Sequence, residues 1–106
     1  MTAYVIPGLR KPEEIIAEEF GATVDELKSR SRVLHIKDAR NVAMWYYRNF
    51  QKMSYAGAAL LFERDHCTAI WAVRKVDDLY KTDKEFRRRV ISALRRIDIK
   101  NEVVNS

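Results

Sequence analysis

Residues Ser54–Val76 read SYAGAALLFERDHCTAIWAVRKV, and the fold turns on this stretch. Ser54 can cap a short helix. That helix, Tyr55 to Phe62, is rich in alanine, and Ala56, Ala58 and Ala59 would let another helix approach closely. Glu63-Arg64 leaves room for only a very short turn. Asp65 can cap a second helix, in which Ala69, Val73, Val76 and Tyr80 recur on one stripe, with Ile70 beside it. The pattern is short helix, tight turn, longer helix, and the longer helix opens on Asp65-His66-Cys67-Thr68. A helix-turn-helix needs this arrangement: the first helix braces against the nucleic-acid backbone and the start of the second enters the major groove. Short polar side chains there can reach base edges. Asp65 can accept from a cytosine amino group, His66 can hydrogen-bond or make apolar contact, and the Thr68 methyl can touch thymine. The spacing alone is common in helical proteins, so the surrounding chain has to support the reading.

Upstream, Asp38 to Lys52 has a strong helical period, with Ala39, Val42, Ala43, Tyr46 and Phe50 on one face and Trp45 at its edge. Arg30 to Lys37 has no clear period and reads as a basic loop. Thr23-Val24-Asp25-Glu26 is a capping box for a short helix ending near Ser29. Pro12 suits a first helical turn, Ile15, Ile16 and Phe20 supply its apolar contacts, and Gly21 closes it. Downstream, Thr82-Asp83-Lys84-Glu85 reads as another capping box, opening a helix striped by Phe86, Val90, Ala93, Leu94 and Ile97. About six helices with short connections result. The chain divides into a loose lead-in (1–10), one helical domain (11–97) and a frayed tail beginning after Asp98 (98–106).

The bulk numbers agree with an all-α chain. Its 106 residues suit one domain with a modest core. Three glycines and two prolines, both prolines within the first twelve residues, leave few tight turns. No apolar run approaches the roughly 18–20 residues of a membrane span, and Met1 to Leu9 lacks the pattern of a signal peptide. Cys67 is the sole cysteine, which excludes an internal disulfide and a cysteine-based zinc site and suits a reducing cytosol. With only His35 and His66 as histidines, no catalytic or metal-binding cluster is readable, and no cofactor is expected. Ser54 is a cap rather than a nucleophile. Cys67 could be a reactive thiol or an inert small residue. Glu13, Glu14, Glu18 and Glu19 form an acidic group that reads as a solvated face.

The formal net charge is +5, which favours a polyanionic partner only weakly. Its distribution is more informative. Lys28, Arg30, Arg32 and Lys37 fall in ten residues without an acid, and Arg87-Arg88-Arg89 with Arg95-Arg96 marks a second basic region.

The run Arg64-Asp65-His66-Cys67-Thr68-Ala69-Ile70-Trp71-Ala72-Val73-Arg74-Lys75-Val76 resembles the signature of the C-terminal DNA-binding domain of the bacterial replication initiator DnaA. That signature is Arg-Asp-His, two hydroxyl residues, an aliphatic pair, a variable residue, Ala, a variable residue, then Arg-Lys-aliphatic. Pro12-Glu13-Glu14-Ile15-Ile16 through Phe20-Gly21, then Val24 to Arg32, is similar to the family's opening helices and basic loop. Arg40-Asn41-Val42-Ala43-Met44 is similar to its Arg-Gln-hydrophobic-Ala-Met. The resemblance covers roughly residues 12–97. It implies an all-α fold of the Trp-repressor-like kind and binding to double-stranded DNA, as a replication-initiator-like regulator acting at origins or as a small transcription factor. It implies base contacts by Arg32 in the minor groove and by Asp65, His66, Cys67 and Thr68 in the major groove. Backbone contacts would fall on Lys37, Arg40, Asn41, Arg48, Arg64, Arg74 and Lys75. The family binds asymmetric duplex sites one copy at a time, so a monomer on DNA is expected, in bacterial or phage cytoplasm and associated with the nucleoid.

Several residues depart from the pattern. Cys67 replaces a hydroxyl residue, and Asn41 replaces Gln. Ala58 and Ala59 stand where Ile-Gly is usual, and Leu34 replaces what can be a second loop cation. Glu63 replaces the small residues before Arg-Asp-His, in a turn that reads one residue shorter. The initiator's phosphate-binding Gly-x-x-x-x-Gly-Lys-[Ser/Thr] loop has no counterpart in this sequence, so the expectation is a stand-alone binding module without ATPase chemistry. The alternative from another class is a protein-interaction module using Trp71, which lies off its helix stripe, and the Tyr46–Tyr47 region.

Overall fold

The computed structural model describes residues 11–105, with residues 98–105 described as backbone only; the expected lead-in 1–10 lies outside the described residues. Six helices follow in order: α1 (Pro12–Glu19), α2 (Val24–Lys28), α3 (Leu34–Asn49), α4 (Tyr55–Leu60), α5 (His66–Thr82) and α6 (Lys84–Asn105). Among the described residues there is no strand, and no helix is long and apolar enough to cross a membrane.

Local chemistry sets most of the boundaries. Pro12 occupies the first turn of α1, and the Lys11 N–H donates to the Glu14 carboxylate at 3.1 Å. Gly21, at φ +77°, closes α1. The Ala22 N–H reaches the Ala17 carbonyl (2.8 Å) and the Gly21 N–H reaches Glu18 (3.1 Å), the Schellman pattern that consumes the last carbonyls. Thr23 and Glu26 form the expected reciprocal box, with bonds of 3.2 and 3.0 Å. Ser54 Oγ accepts from Gly57 N–H at 3.0 Å and starts α4.

Four boundaries differ from the sequence reading. Helix α3 begins at Leu34, not near Asp38, although no side chain caps it. Buried Ile36 and Arg40 pin its first turns to the interior, a tertiary cause with no local signal. Helix α4 stops at Leu60, short of Phe62, because the chain turns there through the left-handed Glu63. Asp83, not Thr82, caps α6: its Oδ1 accepts from Phe86 N–H at 3.0 Å, while the Thr82 hydroxyl donates back to the Asp78 carbonyl. Finally, α6 continues to Asn105 where fraying after Asp98 was expected. The sequence beyond Asp98 holds no glycine or proline to end it.

Helix α3 is the axis of the domain and packs against α1, α2, α4 and α5, while α6 closes over α1 and α5. The core joins Ile15, Ile16 and Phe20 of the first segment to Leu27, Val42, Met44, Phe62, Val76, Phe86, Val90 and Ile97. Each fully buried side chain of this size contributes about 1.5–3 kcal/mol relative to exposure. Ala58 and Ala59 are fully buried and let α4 sit tightly against α5, whereas Ala56 is exposed. Phe50, expected in the α3 stripe, is half exposed and stacks on Tyr46 with ring centroids 5.2 Å apart.

Candidate nucleic-acid interface

The turn between α4 and α5 is built on Glu63. Its φ of +58° is the left-handed region that suits glycine. The Arg64 N–H bonds the Ala59 carbonyl (2.9 Å) and the Glu63 N–H bonds Leu60 (3.0 Å), so α4 ends in the same Schellman geometry as α1. The place where the sequence departs from small residues is thus the place where the backbone most favours one.

Helix α5 then opens with Asp65 as its cap. Asp65 Oδ1 accepts from the Thr68 N–H (3.0 Å) and from the Thr68 hydroxyl (3.1 Å). These two bonds, the backbone one first, hold the Asp65 carboxyl below its ordinary pKa. Asp65, His66 and Cys67 are exposed, and Thr68 is half-buried. The Cys67 Sγ lies 3.8 Å from His66 Nε2. The four residues singled out from the sequence therefore form one exposed helix end.

The basic loop Ser29–Val33 has an alternating logic. Ser29 Oγ donates to the Glu26 carbonyl (2.6 Å) and accepts from the Ser31 N–H (3.2 Å), and Ser31 Oγ accepts from the Val33 N–H (3.2 Å). The serines tie the loop to itself, and the intervening Arg30 and Arg32 are left exposed. Beneath them lies Arg40, only 7% exposed. Its Nε donates to the Leu27 carbonyl (2.6 Å), and its Nη2 donates to Ser29 (3.1 Å), Ser31 (3.2 Å) and, more weakly, Glu26 (3.5 Å). Burial, then the nearby Arg64 charge, lowers its pKa, yet a guanidinium stays charged. The resemblance implied a phosphate contact for Arg40; its Nε and Nη2 donate to carbonyls of α2 and the loop, while the residue still lines the cleft above it.

Arg30, Ser31, Arg32, Lys37, Arg40 and Arg64 line one cleft of about 410 Å³, with no carboxylate among the described residues that line it. A second groove, about 520 Å³, is lined by Lys37, Asn41, Thr68, Trp71, Ala72, Arg74, Lys75 and Asp78. Lys37 belongs to both. The structure thus brings the loop, the start of α3 and the start of α5 onto one cationic face. Arg48 does not join either groove: it lies eleven residues from Lys37, about 16 Å along α3. It donates to the Met53 carbonyl (3.1 Å) and covers the Tyr55 ring at 4.2 Å. Arg30 and Trp71 line these grooves but were not among the expected DNA contacts. Arg30 was legible in the run of loop cations. Trp71, 67% exposed with Arg74 over its ring at 5.6 Å, was legible only as a residue off its stripe.

An all-helical domain with a capped second helix beside a cationic cleft defines the class of helix-turn-helix DNA-binding folds. The family model described as the bacterial dnaA protein helix-turn-helix matches residues 13–76, and the chain belongs to that family. Among curated relatives it is similar to the chromosomal replication initiator protein DnaA of Pelobacter propionicus, 34% identical over 77 residues (72% of this chain, 17% of the relative). The same-named proteins of Flavobacterium psychrophilum and Spiroplasma citri are each 31% identical, over 77 and 88 residues. They cover 72% and 82% of this chain and 16% and 19% of those relatives. The chain therefore spans less than a fifth of their length, and the match falls on a DNA-binding unit alone.

Proposed function

We propose that this domain reads double-stranded DNA sequence-specifically, one copy per asymmetric site, from two grooves at once. Arg32 enters the minor groove. Asp65, His66, Cys67 and Thr68 face bases in the major groove, where Asp65 still has a second carboxylate oxygen for a cytosine amino group. Lys37, Asn41, Arg74 and Lys75 meet phosphates on the face between. Arg40 acts from beneath the loop, and Arg48 braces the connector to α4 instead of a groove. The biological role that fits is competition for initiator boxes at origins, or repression at promoters carrying such boxes.

The observation that carries this reading is the shared face: Lys37 lines both the cleft of Arg30 and Arg32 and the groove of Thr68, Arg74 and Lys75, so the loop and the start of α5 open side by side. The test is a fluorescence-anisotropy titration against a duplex carrying an initiator box and a shuffled duplex, at 50 and 200 mM salt. Tighter binding to the box, falling roughly fortyfold to 150-fold between those salts for three or four phosphate contacts, is expected. Equal affinity for both duplexes would remove sequence-specific reading, and no binding at low salt would remove the DNA role.

One observation favours a second reading. Trp71, 67% exposed on the wall of the second groove, offers an apolar ring to a protein partner. The Tyr46–Tyr47 part of that alternative has less support: Tyr46 is 5% exposed, and the half-buried Tyr47 donates its hydroxyl to the buried Glu13 carboxylate. Binding through Trp71 would change little with salt.

A further inference from the structure

The basic loop and the helix-turn-helix turn are distant in sequence, and loops of this kind ordinarily move independently of the elements beside them. Here they share an anchor. Arg64 Nη1 donates to the Phe62 carbonyl at 2.9 Å, with a longer reach to Glu63 at 3.4 Å, which fixes the guanidinium against its own turn. Its Nη2 crosses to the Ser29 carbonyl. The same carbonyl accepts from Arg40 Nη2 at 3.1 Å. Two cations, one from α3 and one from the turn between α4 and α5, thus converge on one loop oxygen, although their charges repel each other. A planar guanidinium can bridge two carbonyls because its donors point in fixed directions, which an ammonium group cannot reproduce.

We propose that Arg64 is a positioning residue that latches the basic loop to the helix-turn-helix turn, fixing the spacing between the minor-groove and major-groove readers. The inference rests on the two-groove reading above and adds a mechanical property to it. A latched pair reads only sites in which the two contacted segments have one separation. Inserting one base pair shifts the segments by about 3.4 Å and about a tenth of a turn. A rigid pair cannot follow that shift, whereas an unlatched loop can.

The test uses the intact chain and a duplex that wild-type protein recovers from a random-sequence pool. The minor- and major-groove segments are mapped by methylation interference. A second duplex carries one extra base pair between them. Wild type is expected to bind the second duplex at least tenfold more weakly. In Arg64→Ala the penalty should shrink below about threefold, with the salt slope unchanged. Arg64→Lys, which keeps the charge but not the fork, should behave the same way and guards against a folding defect in the alanine variant. If both variants instead keep the wild-type penalty, weaken on both duplexes alike and lose about one unit of salt slope, Arg64 is a phosphate contact and the latch is wrong. Hydrogen exchange of the loop amides in DNA-free protein separates the two ideas. Exchange at Ser31 and Val33, whose amides bond to loop serine oxygens, should be at least tenfold faster in Arg64→Lys than in wild type. Unchanged exchange overturns the latch while leaving two-groove reading intact. A wild type that pays no insertion penalty overturns that reading and the latch with it.

Discussion

The basic loop and the last helix carry similar clusters of cations, and the sequence marks both. The structure treats them differently. On α6, Arg88 and Arg89 pair with Glu85 at 2.6 and 3.2 Å, and Arg96 spans to Glu18 and Glu19 of α1, the latter at 3.0 Å. Arg87 lies over Tyr80 and Arg89 also over Phe20. Much of that charge is answered by neighbours, and part of it docks one helix on another. Around the loop, the charges of Arg30, Arg32, Lys37, Arg40 and Arg64 face one cleft, and Arg40 and Arg64 bond to neutral carbonyls that leave the field uncancelled. Counting cations along a chain therefore does not locate an anion site. What matters is whether carboxylates or peptide oxygens take up the donors.

The largest expected effect that would break this contrast comes from Arg40. Arg40→Ala removes a buried charge that satisfies Leu27, Ser29 and Ser31 carbonyls at once, and should cost about 2–4 kcal/mol of unfolding free energy. It should also loosen DNA discrimination. Urea unfolding measures the first effect and paired titrations the second; a loss under about 1 kcal/mol would mean that the loop does not depend on its support.

Next comes Asp65, where capping and reading can be separated. Asparagine caps a helix nearly as well as aspartate but presents no carboxylate pair to a cytosine amino group. Asp65→Asn should leave thermal unfolding near wild type at neutral pH and cost about tenfold to a hundredfold in discrimination at one base pair. The pH dependence has a fixed sign. Because the folded pKa is lowered, the cap's contribution is complete above the ordinary value of 3.8 and is lost as pH falls through the lowered one. That acid-side loss should be absent in Asp65→Asn melts.

Glu63→Gly sharpens the comparison from the other side. It relieves a left-handed non-glycine residue and removes a carboxylate beside the cationic face. A gain of about 1 kcal/mol in stability is expected, together with modestly tighter binding to all duplexes. Destabilisation in a thermal melt would show that Glu63 makes a contribution outweighing its backbone strain.

The smallest effect is predicted for α6. Arg96→Ala breaks a partly exposed pair of bridges and should cost less than about 1 kcal/mol. DNA affinity and salt slope should stay unchanged. A drop in slope comparable to that of Arg32→Ala would erase the distinction between the two basic regions.

Much of this domain was determined by the sequence. Six helices, their caps at Thr23, Ser54 and Asp65, and the stop at Gly21 follow from local rules, because capping and glycine conformations involve neighbours a few residues apart. The Arg-Asp-His run and the loop cations marked the family and the residues proposed to read DNA. Tertiary structure decided the rest. It moved the start of α3 to Leu34 through buried anchors, buried Tyr46, and turned the Nε and Nη2 of Arg40 toward carbonyls beneath the loop. It also joined Arg64 to Ser29. Each of these depends on which groups far apart in the chain come within hydrogen-bonding or packing distance, and no local pattern encodes where an arginine's donors end.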